Sequence, residues 1–189
     1  MTHASDDILL AATARGDSRA FAILVERHAP RVLRFAQSVL SDRAEAEDVT
    51  QEVFVKLWQQ ADAWQAERAK LSTWLFRVTR NAALNYRQRV RPREQAWTEQ
   101  TPDPATEPLE AGIERDEERA RLDAAIASLP EQQRSAMHLV YGQGLRQKEA
   151  AQAMALSLKA FEAVLLRARR RLRESLAPPS GTAREDIQP

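Results

Sequence analysis

Apolar residues recur at steps of three and four along most of this chain, and no other feature restricts its fold as strongly. Such spacing is typical of helices that bury one face. Residues that favour helices, above all Ala, Leu, Glu, Arg and Gln, dominate the composition, and runs of Val, Ile and Thr suited to strands are scarce. The sequence therefore predicts an all-α protein.

A proline-rich segment divides the helical pattern. Residues 92–112 hold four prolines and little apolar periodicity, which is a linker composition. We therefore expect two small helical domains, residues 1–91 and residues 113–177, joined by a flexible, acidic linker over residues 92–112. Residues 178–189 have the composition of a disordered tail.

Local signals indicate where the helices of the first domain begin and end. Ser5 and Asp42 stand at positions suited to N-caps, and Gly16 is expected to end the first helix. Pro30 is expected to interrupt the second helix, because proline has no N–H and its ring clashes with the preceding turn. The stripes predicted to face the core are Ala46, Val49, Val53 and Leu57 on the third helix, and Trp74, Val78 and Ala82 on a helix over residues 72–91.

Composition excludes several classes of protein. The chain has no cysteine, so disulfides and thiolate zinc sites are impossible, and its three histidines lack the spacing of a metal site. We find no nucleophile paired with a base and no phosphate-binding loop, and therefore expect no cofactor, no metal and no enzymatic activity. Neither a signal pattern nor an apolar run of roughly 18 residues is present, so a cytoplasmic protein without membrane insertion is expected.

Charge is segregated along a chain that is nearly neutral overall, with 28 Lys and Arg against 27 Asp and Glu. Residues 71–93 hold six arginines and no acid, residues 94–119 hold nine acids, and residues 158–174 hold six basic residues against two glutamates. Two cationic regions separated by an acidic stretch indicate two contacts with one polyanion, although solvated helix faces give a similar pattern.

Residues 147–171 predict two short helices that meet near residues 155–158, with Ser157 as the N-cap of the second. The residues expected to face inward are Ala150, Ala151 and Met154 on the first helix, and Phe161, Val164, Leu165 and Ala168 on the second. A pair of this kind can place its second helix in the major groove of DNA. The opposite face of that helix carries Lys159, Glu162, Ala163, Arg167 and Arg170, which can reach base edges and phosphates. A helical hairpin with a solvated basic face is the alternative.

A second candidate surface for nucleic acid lies in the first domain. One side of the helix over residues 72–91 carries side chains suited to phosphates and base edges, namely Thr73, Arg77, Arg80, Asn81, Asn85 and Gln88. Just before it, Trp64, Arg68 and Lys70 bring an aromatic ring and two cations to one loop, as unstacked bases require. The alternative for Trp64 and Trp74 is a place in the core.

The third helix carries a patch with carboxylates opposite its apolar stripe. The patch consists of Asp48, Gln51, Glu52, Val55 and Gln59, with Phe54 and Trp58 expected to be exposed nearby. Exposed apolar side chains beside carboxylates indicate a surface for a protein partner of basic character.

Three segments together resemble an extracytoplasmic-function (ECF) sigma factor of the sigma-70 family, a subunit of bacterial RNA polymerase. They are AEDVTQEVFVKLW, AERAKLSTWLFRVTRNAALN and SLPEQQRSAMHLVYGQGLRQKEAAQAMALSLKAFEAVLLRARRRLR. The opening DDILLAATARGDSRAF also resembles the first helix of the family. The resemblance covers about residues 6–175, in the order and spacing of the family.

The resemblance implies a transcription initiation factor that binds core RNA polymerase and reads the −35 and −10 elements of promoter DNA, under the control of a separate anti-sigma factor. By similarity, Asp48, Gln51, Glu52 and Phe54 bind the polymerase. The residues that by similarity bind the −10 element, both as duplex and as melted DNA, are Trp64, Arg68, Lys70, Arg77, Arg80, Asn81 and Asn85. The residues that by similarity bind the −35 element lie on the second helix of a helix-turn-helix and at its cap. They are Ser157, Lys159, Glu162, Ala163, Arg167 and Arg170.

The chain departs from the family pattern at several positions of the helix-turn-helix. Ala155 stands where glycine is frequent, at a cost of about 1 kcal/mol if its backbone is left-handed. Arg146 stands where a serine or threonine cap is usual. Glu162 and Ala163 replace a basic residue and a serine, so we expect a −35 preference that differs from that of relatives.

Two other functions are compatible with parts of the sequence. A stand-alone helix-turn-helix regulator would bind DNA without polymerase, and it would need neither the patch on the third helix nor the Trp64 loop. A helical adaptor without a role on DNA would show only weak, salt-sensitive affinity for nucleic acid.

Overall fold

The structure is a computed structural model that describes residues 4–40, 42–64, 69–94 and 113–177. The described part contains eight α-helices and no strand, which confirms the all-α prediction. The helices are α1 (Asp6–Ala14), α2 (Ser18–Val39), α3 (Arg43–Gln59), α4 (Leu71–Glu94), α5 (Ile113–Ala127), α6 (Glu131–Met137), α7 (Gln147–Ala153) and α8 (Leu158–Leu176). A 3₁₀ turn (Ala61–Ala63) follows α3, and a π-helical turn (His138–Gly142) continues α6.

Side-chain caps begin the helices of the first domain. The Ser5 hydroxyl accepts a hydrogen bond from the Ile8 N–H at the start of α1, and the Asp42 carboxylate accepts one from the Glu45 N–H (3.0 Å) at the start of α3. Gly16 follows α1 with a left-handed backbone (φ 86°), a conformation that glycine adopts without steric cost. These three predictions of helix boundaries are confirmed.

Pro30 does not interrupt α2, which contradicts our prediction. The helix runs unbroken from Ser18 to Val39 with Pro30 on its exposed side. A proline inside a helix costs about 3 kcal/mol. The packing of α2 against α1, α3 and α4, which buries Leu24, Val32 and Phe35 among others, outweighs that cost.

The buried face of α4 differs from the predicted one, whereas the predicted stripe of α3 is confirmed as fully buried. Of the three residues predicted to face inward on α4, only Ala82 is buried, and Trp74 and Val78 are half-buried. Since α4 packs against α2 and α3 on one side and α7 on another, its buried face is wider than one stripe. It comprises Leu71, Thr73, Leu75, Phe76, Thr79, Ala82 and Ala83. The helix also continues past the predicted end, through Pro92 to Glu94.

The C-terminal helices pack as the sequence predicts. All seven residues expected to face inward on α7 and α8 or at the turn between them are buried. A small second cluster, formed by Ala125 and Leu129 with Ala168 and Leu172, joins the end of α5 to α8. Residues 95–112 of the predicted linker and the tail over residues 178–189 lie outside the described residues. The domain boundaries therefore stay predictions.

The two halves of the chain pack against each other through α2 with α6 and α4 with α7. One cluster of buried apolar side chains runs from α1 to α8 across this contact. Polar contacts surround it: Arg80 pairs with Glu131 (3.1 Å), Lys70 pairs with Glu149 (2.7 Å), and an Arg31 N–H donates to the carbonyl oxygen of Gln143 (2.6 Å). We call these three pairs the interdomain contacts.

Among the described residues, none of the helices combines the length and the apolar character required to cross a bilayer.

Candidate protein and nucleic-acid interfaces

An open apolar groove of about 720 Å³ lies between α2 and α3. Phe21 and Trp58 meet edge to face across its end, with ring centroids 5.0 Å apart. Val55 and Trp58 are 48% and 40% exposed, so large apolar surface here remains in contact with water. The other apolar side chains that line the groove are Val25, Ala29, Pro30, Leu33 and Phe54.

Phe54 forms part of the groove wall, which corrects our expectation that it is exposed. Only 5% of Phe54 is accessible, because its ring turns into the core that α3 shares with α2. Polar side chains border the groove: Glu47 and Gln51 line it, and Asp48 is exposed one residue along α3. Glu52 pairs with Lys56 (2.6 Å). The structure thus places all four predicted polymerase-binding residues on α3, beside or within one apolar groove.

The loop before α4 has one of its three predicted residues in the core and one outside the described residues. Trp64 is half-buried and packs edge to face on Trp74, with ring centroids 6.1 Å apart. Its indole N–H is buried with no acceptor among the described residues. This packing agrees with the core alternative for Trp64. Arg68 lies outside the described residues.

The predicted DNA face of α4 is partly open and partly covered. Arg77, Asn81 and Asn85 are exposed at steps of four along one side of α4. Arg80 is mostly buried, since only 14% of its side chain is accessible in the pair with Glu131. Thr73, also predicted on this face, is 3% exposed and belongs to the core, because it faces the interior beside Leu71 and Leu75.

Lys70 remains exposed but is engaged by the C-terminal half. Its ammonium group donates to Glu149, and this hydrogen bond holds the pKa of the Glu149 carboxyl below its usual range. The same carboxyl also accepts from the Arg146 N–H (3.1 Å) at the start of α7. Arg146 is the N-cap residue of α7, and a guanidinium has no acceptor atom, so Glu149 supplies the side-chain half of this cap by itself.

The predicted DNA face of α8 is fully open. Its residues are all exposed, namely Lys159, Glu162, Ala163, Arg167 and Arg170, and so is the cap residue Ser157. The Ser157 hydroxyl accepts from the Ala160 N–H (3.2 Å), which confirms its predicted role as N-cap. Arg170 donates to Glu174 one turn further on (2.8 Å), and this hydrogen bond raises the pKa of Arg170 above its usual range.

Sequence reasoning missed several residues around these surfaces. Leu166 is 67% exposed in the middle of α8. Tyr141 of the π-helical turn accepts a hydrogen bond from Arg169 (2.7 Å), and the guanidinium lies 5.6 Å from the centre of its ring. Helical spacing could have placed Leu166 on the open face, whereas the Tyr141 contact spans 28 residues and left no local signal.

The described residues contain no cluster of three or more His, Asp or Glu side chains able to hold a metal ion. The structure therefore describes two candidate surfaces for macromolecules, an apolar groove with an acidic border and a basic helix, together with a third, partly covered polar face on α4.

Both halves of the chain are similar to known protein families. The family described as Sigma-70 region 2 matches residues 24–93, and the family described as Sigma-70, region 4 matches residues 119–172. The ECF RNA polymerase sigma factor RpoE of Cereibacter sphaeroides is 32% identical over 165 residues, which is 85% of this chain and 88% of that protein. The RNA polymerase sigma-H factor of Pseudomonas aeruginosa is 30% identical, over 94% of this chain and 97% of its own.

Solved structures show the same likeness. CnrH, in complex with the cytosolic domain of CnrY, superposes with a TM-score of 0.67 at 30% identity and covers 89% of this chain and 95% of its own. The sigma factor RpoE from Bartonella quintana, in complex with the anti-sigma factor NepR, superposes with a TM-score of 0.67 at 26% identity and covers 82% and 96%.

The fold and the two family matches define a sigma-70-type transcription factor with a helix-turn-helix. The chain belongs to the ECF sigma factors of this family. It is therefore a transcription initiation factor that directs bacterial RNA polymerase to promoters, as the resemblance implied.

Proposed function

We propose that the chain divides promoter recognition among three surfaces: the groove between α2 and α3 binds core polymerase, the face of α4 with its preceding loop binds the −10 element, and α8 reads the −35 element. The observation that carries the proposal is the exposed apolar groove with its acidic border. A stand-alone DNA-binding regulator has no use for it, whereas a polymerase subunit must dock on protein and on DNA at once.

The groove suits a helical partner with an apolar face and basic flanks. Val55 and Trp58 offer the exposed apolar area, and an aromatic anchor of this kind often dominates binding energy. Asp48, Gln51 and Glu52 follow one another along the exposed side of α3 and can orient basic side chains of the partner. Phe54 supports the wall of the groove from within.

On α4, Arg77 with Asn81 and Asn85 provides a guanidinium and two amides for phosphates and base edges. Arg80 and Lys70 join this face when their ion pairs with Glu131 and Glu149 are replaced by contacts with phosphate groups of the DNA. Trp64 and Arg68 complete the −10 site at the loop, where the exposed part of the half-buried Trp64 ring can stack on a base released from the duplex.

On α8, Lys159, Arg167 and Arg170 contact phosphates, and Ser157 lies at the end of the helix that enters the major groove of DNA. Glu162 can accept a hydrogen bond from a cytosine amino group, and Ala163 can contact a thymine methyl. A basic residue and a serine at these positions would favour other bases. We therefore propose that the −35 sequence preferred by this protein is set by Glu162 and Ala163.

Control by a separate protein fits the same surfaces. CnrH was solved with a cytosolic domain of CnrY, and RpoE of Bartonella quintana with the anti-sigma factor NepR. We propose that an anti-sigma factor likewise holds this chain away from polymerase. The protein acts in the cytoplasm, where polymerase and promoters are, and catalyses no reaction of its own.

Run-off transcription with purified core RNA polymerase and genomic promoter fragments tests this proposal. We expect new transcripts from defined start sites only when the protein is present. Val55→Asp in the groove should lower core binding and transcription together, because a carboxylate would be buried at the contact. Ile8→Asp is the matched control, since Ile8 is 62% exposed on α1 outside the groove.

Different outcomes identify different errors in the proposal. Transcription that survives Val55→Asp as well as Ile8→Asp would show that polymerase binds elsewhere. Promoter-specific DNA binding without polymerase and without transcripts would favour the stand-alone regulator.

A further inference from the structure

We infer that Leu166 reads the C5-methyl group of a thymine in the −35 element and so determines part of the promoter specificity. The inference rests on the proposed role of α8. It adds to that role a second contact with a thymine methyl group, beside the one proposed for Ala163.

Leu166 contributes almost nothing to the fold. It is 67% exposed, which is the largest value among the big apolar side chains of the described residues. The core side of α8 is already filled by Phe161, Val164 and Leu165, which are 3% exposed or less. Leu166 is therefore not needed to fill the core side of α8.

The position of Leu166 on α8 places it at the centre of the open face. Lys159, Ala163, Leu166 and Arg170 follow one another at steps of four, three and four residues, so their side chains form one row along the helix. Leu166 lies between Ala163, at the end that can reach base edges, and Arg170, at the end that can reach phosphates.

The charges around Leu166 select the kind of surface that can cover it. Lys159, Arg167 and Arg170 flank the leucine on the exposed side of α8. An apolar protein surface would have to remove these charges from water without compensation. The major groove of DNA presents phosphates for the cations, and the thymine methyl is the one apolar group among the base edges that it displays.

Replacing each −35 thymine by deoxyuridine, one at a time, tests the inference, because this change removes only the methyl group. Binding of the holoenzyme, assembled from core polymerase and the full chain, is measured on each duplex. For the unchanged protein we expect affinity to fall about fourfold, the effect of one buried methyl group, at the thymine that Leu166 contacts, in addition to any loss at a thymine that Ala163 contacts. Leu166→Ala should bind the unmodified promoter more weakly and lose the response to uracil at that position.

Leu176→Ala is the matched control. Leu176 is 43% exposed on the same helix but lies about 80° around it from Leu166, and the variant should keep the full response to uracil. Leu166→Met should keep most of the response, since methionine preserves the apolar contact.

Several results would overturn the inference. They are a −35 element without thymine on either strand, binding that is insensitive to every uracil substitution, and a Leu166→Ala protein that keeps the response to uracil at every position. Holoenzyme that fails to bind any promoter would instead remove the proposed function of α8, and this inference with it.

Discussion

Ala155 has a left-handed backbone (φ 54°) at the turn between α7 and α8. In this conformation alanine is less favourable than the glycine that is frequent at this position in the family. The Ala155 N–H bonds to the carbonyl of Gln152 (3.1 Å), and the Leu156 N–H bonds to that of Ala151 (2.9 Å). These two bonds form the usual glycine-terminated end of a helix, here with alanine at the left-handed position. The Cβ atom of Ala155 therefore strains the turn that orients α8.

Ala155→Gly should raise the free energy of unfolding by about 0.5–1 kcal/mol, because it removes this strain. Ala22→Gly on the exposed side of α2 should lower it by a similar amount, since glycine is unfavourable inside a helix. Urea denaturation of both variants measures the difference. Destabilisation by Ala155→Gly would show that the turn is not strained.

His28 is 7% exposed, and its Nε2 lies 2.9 Å from the Asp6 carboxylate. Burial lowers the pKa of His28 more than the negative charge of Asp6 raises it. At neutral pH the ring is therefore uncharged, and its Nε2–H donates to the Asp6 carboxylate. The pKa of His138 is also lowered, by burial and by the nearby Arg134.

Stability should fall as the pH drops below about 6.5, because the unfolded chain binds protons at these histidines before the folded chain does. The contribution is fully present above pH 6.5 and is lost as the pH falls through the lower folded-state pKa values. The slope is at most about 1.4 kcal/mol per pH unit for each histidine. Thermal unfolding between pH 5 and pH 8 measures this slope. The single variant His28→Gln should reduce the slope, and the double variant His28→Gln with His138→Gln should nearly abolish it. An unchanged slope would contradict this assignment.

At the scale of elements, the N-terminus of α8 has a capping residue that is also one of the proposed DNA contacts. Ser157 satisfies one backbone N–H there. Ser157→Ala removes this hydrogen bond and should lower the free energy of unfolding by about 1 kcal/mol.

Ser157→Asp separates the two roles of Ser157. Aspartate caps a helix as well as serine does, so stability should be retained, but its charge would repel phosphates. We expect promoter binding by the holoenzyme to weaken several-fold, and most at low salt. Asp17→Ser, which exchanges the cap of α2, is the control and should leave promoter binding unchanged. Full promoter affinity in Ser157→Asp would place the phosphate backbone away from this helix end.

At the scale of the whole molecule, the interdomain contacts affect the two predicted DNA surfaces unequally. Glu131 and Glu149 pair with Arg80 and Lys70 of the predicted −10 face, whereas the predicted −35 face of α8 stays open. The pair of Arg80 with Glu131 matters more, because Lys70 is 70% exposed and an exposed pair contributes little. The closed chain is therefore expected to require separation of its halves before the −10 face is complete.

Glu131→Lys should loosen this arrangement, weakening the interface by about 1–3 kcal/mol, because it sets like charges together at a mostly buried site. The chain has no cysteine, so Gln37→Cys and Gln152→Cys introduce two labelling sites on α2 and α7 for energy transfer. Transfer efficiency should fall in Glu131→Lys. Glu174→Lys, whose pair with Arg170 lies within α8, should leave it unchanged. Equal efficiency in both variants would contradict a closed chain held by Glu131.

The sequence by itself determined the features that depend on neighbours along the helix. Caps at Ser5, Asp42 and Ser157, the buried stripes of α3, α7 and α8, and the open face of α8 all follow from the preference of single residues and from a period of 3.6 residues. The left-handed backbone at Ala155 was also predictable from the sequence, because a helix-turn-helix needs this conformation at one position of its turn. Family membership followed from the order of such segments.

Only the tertiary structure decided what depends on the surfaces that meet. Pro30 stays within α2 because three helices hold it, and α4 buries more than one stripe because α7 covers a second side. Phe54 turns inward, and Arg80 and Lys70 find carboxylates 51 and 79 residues away, for the same reason. Spacing along a helix defines which residues share a face, but burial and pairing are fixed by the partner of that face, which local sequence does not encode.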